Sequence, residues 1–147
     1  MTHAIEQAKK AQKRGEVPIG AVIICNGKIV GTGYNKRERS NNALAHAEMV
    51  AINRACRKLK SWRLDGCEMY VTLEPCPMCA GAIVNARIKR VIVGARQRDT
   101  VDGANAVTAD IYTKNNLNHR TEVVYDLHPE CSEMLKAFFV DLRSNNS

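Results

Sequence analysis

The chain has 147 residues, of which 45% are hydrophobic and 25% are charged, so a single globular domain over residues 1–147 with a buried core is expected. No apolar run approaches the roughly 20 residues that a membrane-spanning helix needs, which excludes membrane proteins of that class. The first 16 residues lack the apolar centre of a signal peptide, so we expect a cytoplasmic protein.

The formal net charge of +7 is unevenly distributed. Residues 1–63 hold 13 of the 22 lysines and arginines but only four of the 15 acidic residues, whereas residues 64–147 carry a small net negative charge. A basic half attracts phosphate backbones, which makes nucleic acid a candidate partner. A solvated basic surface explains the charge equally well.

The first 59 residues predict a helix, a β-hairpin and a second helix. Apolar residues recur at helical spacing over residues 4–11, which indicates an amphipathic helix. Two apolar segments within residues 18–35 flank Asn26-Gly27, the strongest short signal of a hairpin turn. The polar segment 36–44 is predicted to be a loop. A helix is then expected from His46 to about Leu59, with an apolar face of Met49, Ile52, Cys56 and Leu59.

The rest of the chain alternates strands with helices. Strands are predicted over residues 67–73, 90–95 and 121–127, and a helix over residues 77–86. Residues 97–118 are polar and only weakly patterned. A final helix carries a stripe of Cys131, Met134, Leu135, Phe138 and Leu142. Strands that alternate with helices after an opening hairpin predict an α/β domain with a five-stranded mixed sheet.

Four of the six cysteines lie within apolar patterns, namely Cys25, Cys56, Cys67 and Cys131. Without a secretory signal, metal ligation or free buried thiols are favoured over disulfides. We interpret these four residues as core thiols.

The other two cysteines form a C-x-x-C motif, Cys76-Pro77-Met78-Cys79, at a predicted strand-to-helix junction. Cysteines three residues apart share one face of a helical turn, so both sulfurs can face one ion. The positive end of the helix also favours thiolates. The motif alone leaves alternatives open. It could be half of a zinc ribbon, although the sequence has no second C-x-x-C, or a redox pair of the thioredoxin type.

His46 and Glu48 stand at the start of the second predicted helix. A lone histidine there is commonly a capping or packed residue. Together with Cys76 and Cys79, however, His46 supplies three ligands for zinc, the number found in catalytic sites that keep a position for water. Glu48 could then reach that water and move protons as base and acid. The arrangement matches the H-x-E…P-C-x-x-C pattern of zinc-dependent nucleobase deaminases.

Five longer segments extend this match. They are GEVPIGAVII, HAE, TLEPCPMCAGAIVNARI, VIVGAR and LNHRTEVVYDLHPECSEMLKAFF. Over about residues 4–139 the chain resembles the bacterial tRNA-specific adenosine deaminases of the cytidine deaminase superfamily. The resemblance implies a three-layer α/β/α cytidine-deaminase-like fold, a homodimer and one Zn²⁺ per subunit. The implied reaction is hydrolytic deamination of adenosine to inosine at the wobble position of a tRNA anticodon stem-loop, with the base flipped into a pocket.

The resemblance also implies roles for individual residues. The implied zinc ligands are His46, Cys76 and Cys79. Glu48 matches the proton shuttle, and Asn35 matches the residue that contacts the purine. Pro18 and Ala47 match pocket-lining positions. A turn after the second strand would explain Asn35, and a proline at a strand start would explain Pro18, without any role in binding.

Three segments depart from the family pattern, and all three bear on the substrate and not on the metal chemistry. Residues 97–116 replace the Asp and the Gly-rich continuation that usually follow GAR. Arg143 is the only basic residue among the last ten, where family members often carry several. Residues 38–45 also differ from the common form.

Three other functions remain open from the sequence. A deaminase of a free base or nucleoside, of guanine or cytosine type, would suit the altered segment and the acidic second half. A thiol–disulfide oxidoreductase would use Cys76 and Cys79 but leaves His46 unexplained. A zinc-bearing RNA-binding subunit without catalysis leaves Glu48 unexplained.

Overall fold

The structure is a computed structural model that describes residues 1–97, 102–114 and 118–146, with the backbone alone for residues 102–107. The helices are α1 Thr2–Lys13, α2 Arg37–Ser40, α3 Ala47–Leu59, α4 Pro77–Asn85, α5 Asp102–Thr113 and α6 Pro129–Asn145. The strands are β1 Gly20–Cys25, β2 Lys28–Tyr34, β3 Glu68–Val71, β4 Arg90–Val93 and β5 Glu122–Tyr125.

The five strands form one mixed sheet in the order β2-β1-β3-β4-β5. β1 is antiparallel to both β2 and β3, whereas β3, β4 and β5 run parallel. The hairpin turn is confirmed, because Asn26 and Gly27 have φ angles of 50° and 75°, as a tight turn between twisted strands requires. The strand order and the mixture of antiparallel and parallel pairs confirm the predicted five-stranded mixed sheet.

Helices cover both faces of the sheet. α3, α4 and α5 pack on one face, where Ala51, Ile83 and Tyr112 join the main core. α1 and α6 pack on the other face around a smaller cluster that includes Ile5 and Cys131. This arrangement confirms the expected three-layer α/β/α architecture. In the part of the chain that the structure describes, no helix is long and apolar enough to cross a membrane.

The contact between β2 and α3 is unusually close. A Cβ atom on Gly31 or Gly33 would overlap the carbonyl oxygen of Ala51 or Ala47, respectively. The buried residues of α3 are Ala47, Glu48, Ala51, Ile52 and Ala55. Of the predicted apolar face, Ile52 is buried and Cys56 packs partly buried against the core, whereas Leu59 is 38% exposed and alanines form most of the buried face. Small residues face the sheet because a bulky side chain would not fit between the helix and the glycines.

Two further segments differ from the sequence prediction. The predicted loop at residues 36–44 contains one helical turn, α2, none of whose residues is buried. Without a buried face, this turn has no apolar periodicity to detect. The weakly patterned residues 97–118 contain α5, while residues 98–101 and 115–117 lie outside the described part.

The cysteine prediction is confirmed in its main point. All four apolar-pattern cysteines are free thiols, with Cys67 and Cys131 buried and Cys25 and Cys56 partly buried. In α6, Cys131 and Met134 are buried as predicted. The stripe ends before Leu142, which is 45% exposed.

We predict that Gly33→Ala lowers the free energy of unfolding by about 1–3 kcal/mol, the usual cost of forcing extra atoms into a packed interface. The added methyl group would push α3 away from β2. Gly81→Ala is the matched control, because a Cβ there meets no atom within 4 Å and alanine favours a helix by about 1 kcal/mol over glycine. Urea denaturation measures both, and equal stabilities would contradict the close contact.

Candidate active site

His46 stands at the N-cap of α3, and Glu48 follows in the first helical turn. The backbone of His46 is extended, with φ −74° and ψ 153°, so the chain turns into the helix at this residue. Glu48 is only 4% exposed. The two-residue spacing therefore brings both side chains to the same end of α3.

Cys76 stands at the N-cap of α4, and Pro77 follows in the first turn, where the missing N–H of proline costs little. The N–H of Ala80 donates to the Cys76 carbonyl at 2.9 Å, so the helical hydrogen bonds begin at this cysteine. Cys79 lies in the first turn and is fully buried. Both sulfurs therefore lie at the positive end of the helix dipole.

The two helix N-termini bring three potential ligands together. His46 Nδ1 lies 3.7 Å from Cys76 Sγ and 3.6 Å from Cys79 Sγ, and all three ligand atoms lie within 4.8 Å of one another. A tetrahedral zinc ion, with bonds of roughly 2.3 Å to sulfur and roughly 2.0 Å to nitrogen, would hold such atoms about 3.6 Å apart. The geometry and the donor types both fit a metal ion.

The surroundings of the two sulfurs shift their pKa values in opposite directions. The Cys79 thiol donates a hydrogen bond to Cys76, and this contact, helped by the backbone N–H groups of Cys79 and Met78, lowers the pKa of Cys76 to about 5. The same hydrogen bond, together with burial, raises the pKa of Cys79. This lowered pKa favours the thiolate of Cys76, which is the form that binds metals.

Glu48 is placed for proton transfer. Its Oε2 lies 3.5 Å from Cys79 Sγ, so the carboxylate reaches the point where the ligand atoms meet. Burial raises the pKa of Glu48, while a hydrogen bond to its own backbone opposes the shift. A raised pKa makes this carboxylate a stronger proton acceptor, which suits a general base.

A cavity opens beside these residues, and two of the three predicted substrate residues, Asn35 and Ala47, line it. Pro18 does not line it: its side chain is buried, while its neighbours Val17 and Ile19 form part of the wall. The Ile19 N–H donates to the Val17 carbonyl at 2.8 Å, so Pro18 stands at the centre of a tight three-residue turn. The lining residues are Val17, Ile19, Asn35, Arg37, His46, Ala47, Glu48, Leu73, Glu74, Cys76, Gln97 and Phe139.

Sequence reasoning missed a second carboxylate in this cavity, Glu74, which is 6% exposed. Its Oε1 accepts the Tyr125 hydroxyl at 2.6 Å, and its Oε2 accepts the N–H of Gln97 at 3.4 Å. The Arg96 guanidinium lies 4.1 Å from the centre of the Tyr125 ring. Burial, reinforced by Glu74, raises the pKa of Tyr125 to about 12, which keeps the hydroxyl a donor. The one available signal was the position of Glu74 two residues before Cys76.

Comparison with known proteins decides the family. The model of the MafB19-like deaminases matches residues 1–143. The chain belongs to this family. The tRNA-specific adenosine deaminase of Bacillus subtilis is 48% identical over 144 residues, which cover 97% of this chain and 88% of the relative. The protein of the same name from Aquifex aeolicus is 44% identical over 142 residues, which cover 97% and 93%.

Solved structures give the same grouping. A structure from work on A-to-I editing by tRNA:A34 deaminases at the wobble position of transfer RNA superposes with a TM-score of 0.82, at 36% identity, over 92% of this chain and 97% of that one. Guanine deaminase from Bacillus subtilis superposes with a TM-score of 0.62, at 34% identity, over 97% and 90%. The resemblance to the tRNA-specific adenosine deaminases is therefore confirmed.

We predict that His46→Ala and Cys79→Ser each abolish stoichiometric metal binding, since each removes one of three converging ligands. Cys56→Ser is the matched control, because Cys56 is a partly buried thiol outside the ligand group. Elemental analysis of the purified proteins measures the metal. Cobalt(II) gives a thiolate charge-transfer band when cysteines bind it, and both variants should lose this band. Wild-type metal content in His46→Ala would contradict the assigned group.

Proposed function

We propose that this protein is a single zinc-dependent deaminase domain, residues 1–147, that converts adenosine to inosine at the wobble position of a tRNA anticodon. The supporting observation is its 48% identity, over nearly the full chain, to a protein named tRNA-specific adenosine deaminase. A deaminase needs a metal group beside a proton-transfer carboxylate, and His46, Cys76, Cys79 and Glu48 supply both. We further infer a cytoplasmic homodimer, with the tRNA anticodon stem-loop as its partner.

The proposed zinc ligands are His46, Cys76 and Cys79. They are three protein ligands, the number that catalytic zinc sites use, and they would hold the ion if it binds here. When bound, zinc would lower the pKa of a water molecule and so supply a nucleophile near neutral pH. The second cysteine would lose its proton on ligation, because the thiolate is the form that binds.

Glu48 carries the proton transfers. Its carboxylate takes a proton from the attacking water as the new C–O bond forms at the ring carbon that bears the amino group. Glu48 passes that proton to a ring nitrogen, takes the remaining proton from the newly added hydroxyl and delivers it to the amine, so that the C–N bond breaks, ammonia leaves and inosine remains. One carboxyl group can serve both steps because it is buried at the cavity floor with a raised pKa.

Asn35 and Ala47 are proposed to hold the base. The amide of Asn35 offers both a donor and an acceptor, which suits the edge of a purine. Ala47 presents only a methyl group, which leaves room for a flat ring beside His46. We propose a supporting role for Pro18, which fixes the backbone that carries Val17 and Ile19 in the cavity wall.

We predict that Glu48→Gln keeps its zinc and loses at least about 10²–10⁴ of kcat, the usual contribution of a positioned acid–base group. Glutamine is isosteric but cannot accept and return the proton. Glu6→Gln on the exposed surface of α1 is the charge-matched control. Elemental analysis and ammonia release measure the two quantities, and retained turnover in Glu48→Gln would refute the assigned role.

We predict that the zinc-loaded protein forms inosine in an anticodon stem-loop with adenosine at the wobble position and leaves free guanine, cytosine, adenine and their nucleosides unchanged. Mass spectrometry of the products decides this directly. Binding of the stem-loop should weaken steeply with salt, because phosphate contacts release counterions. Turnover of guanine with the stem-loop untouched would favour the guanine-deaminase alternative, to which the structural similarity at 34% identity gives some support.

A further inference from the structure

Glu16 is a buried carboxylate that the proposed chemistry does not use. It lies in the turn between α1 and β1 and is only 1% exposed. Its backbone N–H donates to the Ala11 carbonyl at 3.1 Å, which ties the residue to the end of α1. An ionised carboxylate is costly to bury unless hydrogen bonds satisfy its oxygens, so the partners of Glu16 matter.

Both oxygens of Glu16 bind the N-terminus of α2. Oε1 accepts the backbone N–H of Arg39 at 2.7 Å, and Oε2 accepts the backbone N–H of Glu38 at 3.3 Å. The N-cap residue of α2 is Lys36, which makes no side-chain cap. Glu16 therefore replaces the missing cap from another part of the chain, and its negative charge suits the positive end of the helix.

Asn35 completes the same cap. Its Oδ1 accepts the N–H of Arg37, the first residue of α2, at 3.3 Å. Its Nδ2 donates to the Val17 carbonyl at 3.4 Å, and Val17 is the residue next to Glu16. The three free N–H groups of α2 are thus shared between Glu16 and a residue of the cavity wall, and these contacts fix which way the Asn35 amide faces.

α2 depends on this cap more than a longer helix would. It has only four residues, none of them buried, and one turn of helix is unstable by itself. Its remaining described hydrogen bonds stay within residues 35–46, such as Asn42 N–H to Arg37 carbonyl at 3.1 Å. Within the described part of the chain, the hydrogen bonds that join residues 36–42 to residues outside 35–46 are the two to Glu16.

Cavity residues lie within residues 36–42 and on either side of them. Asn35 precedes α2, Arg37 is its first residue, and His46 follows ten residues after Lys36. Asn35, Arg37 and His46 all line the cavity. A shift of α2 would therefore move the Arg37 guanidinium relative to Glu48. The same shift would break the bond between the Arg37 N–H and Asn35 Oδ1, which helps to orient the Asn35 amide.

We propose that Glu16 is a positioning residue for substrate: by capping α2 from outside the helix, it sets Asn35 and Arg37 in place to bind the target nucleotide. The identity of the bound nucleotide rests on the proposed function. The hydrogen bonds between Glu16, Asn35 and α2 do not depend on it. Glu16 does not touch the cavity, so its effect is on binding and not on the proton transfers of Glu48.

The test is Glu16→Gln. The amide keeps one acceptor oxygen but turns its NH₂ group towards a backbone N–H, so one of the two cap bonds is lost. We expect KM for the stem-loop to rise about tenfold, the loss expected for one charge-assisted hydrogen bond, with kcat changed less than about threefold. Zinc content should stay at the wild-type value. Hydrogen exchange of the Glu38 and Arg39 amides should accelerate.

Glu38→Gln is the matched control. It removes one negative charge beside the same helix N-terminus, but the Glu38 side chain is 76% exposed, and its hydrogen-bond partner in the described part of the chain is Arg37, at 3.5 Å. We expect KM, kcat, zinc content and amide exchange to stay unchanged. An equal rise of KM in both variants would assign the effect to net charge and would overturn the proposal.

Two further outcomes of Glu16→Gln would overturn the proposal. One is faster amide exchange with an unchanged KM, which would make the cap purely structural. The other is a fall in zinc content or kcat at unchanged KM. If this variant does not fold, Glu16→Asp, which keeps the charge but withdraws the oxygens by one methylene, receives the same measurements. KM is measured on whichever compound the wild-type protein turns over, so failure of the tRNA assignment is seen separately in the wild type.

Discussion

The site depends on two helices whose N-termini meet and whose N-cap side chains do not cap their own helix. His46 and Cys76 are the N-cap residues of α3 and α4, and neither makes a side-chain cap. A serine or asparagine in their place would satisfy a free N–H of its own helix. Here both side chains turn towards each other instead, so the positive ends of two helices surround the sulfurs. Both helices lose the stability that a side-chain cap would give them. In return, the ligand atoms already lie together before a metal binds.

Much of this arrangement could be predicted, because it rests on short-range rules. Asn26-Gly27 specifies its turn through backbone conformation alone, and the C-x-x-C spacing places two sulfurs on one helical turn whatever the rest of the fold does. The position of His46 at a helix start follows from the apolar pattern that begins after it. Such features need only neighbouring residues, and the structure bears out each of them.

What could not be predicted involves partners far apart in the sequence. Glu74 and Tyr125 are 51 residues apart and meet because β4 and β5 lie parallel beside β3. Glu16 contacts Glu38 and Arg39, which lie 22 and 23 positions away. A capping rule that uses only residues next to the helix therefore finds no cap for α2. The alanine face of α3 was missed for the same reason, since only the glycines of the neighbouring strand explain why larger residues are turned away.

The contact between β2 and α3 also limits how this part of the protein can change during evolution. In most packed interfaces a larger side chain on one element can be accommodated by a smaller one on the other. Here β2 already presents Gly31 and Gly33, and the atoms nearest to them in the helix are backbone atoms and the Cβ atoms of Val50 and Ala55. Because no residue is smaller than glycine, compensating pairs of substitutions are not available. Sequence drift can therefore reshape the other walls of the cavity more freely than the height of His46 and Glu48 above the sheet.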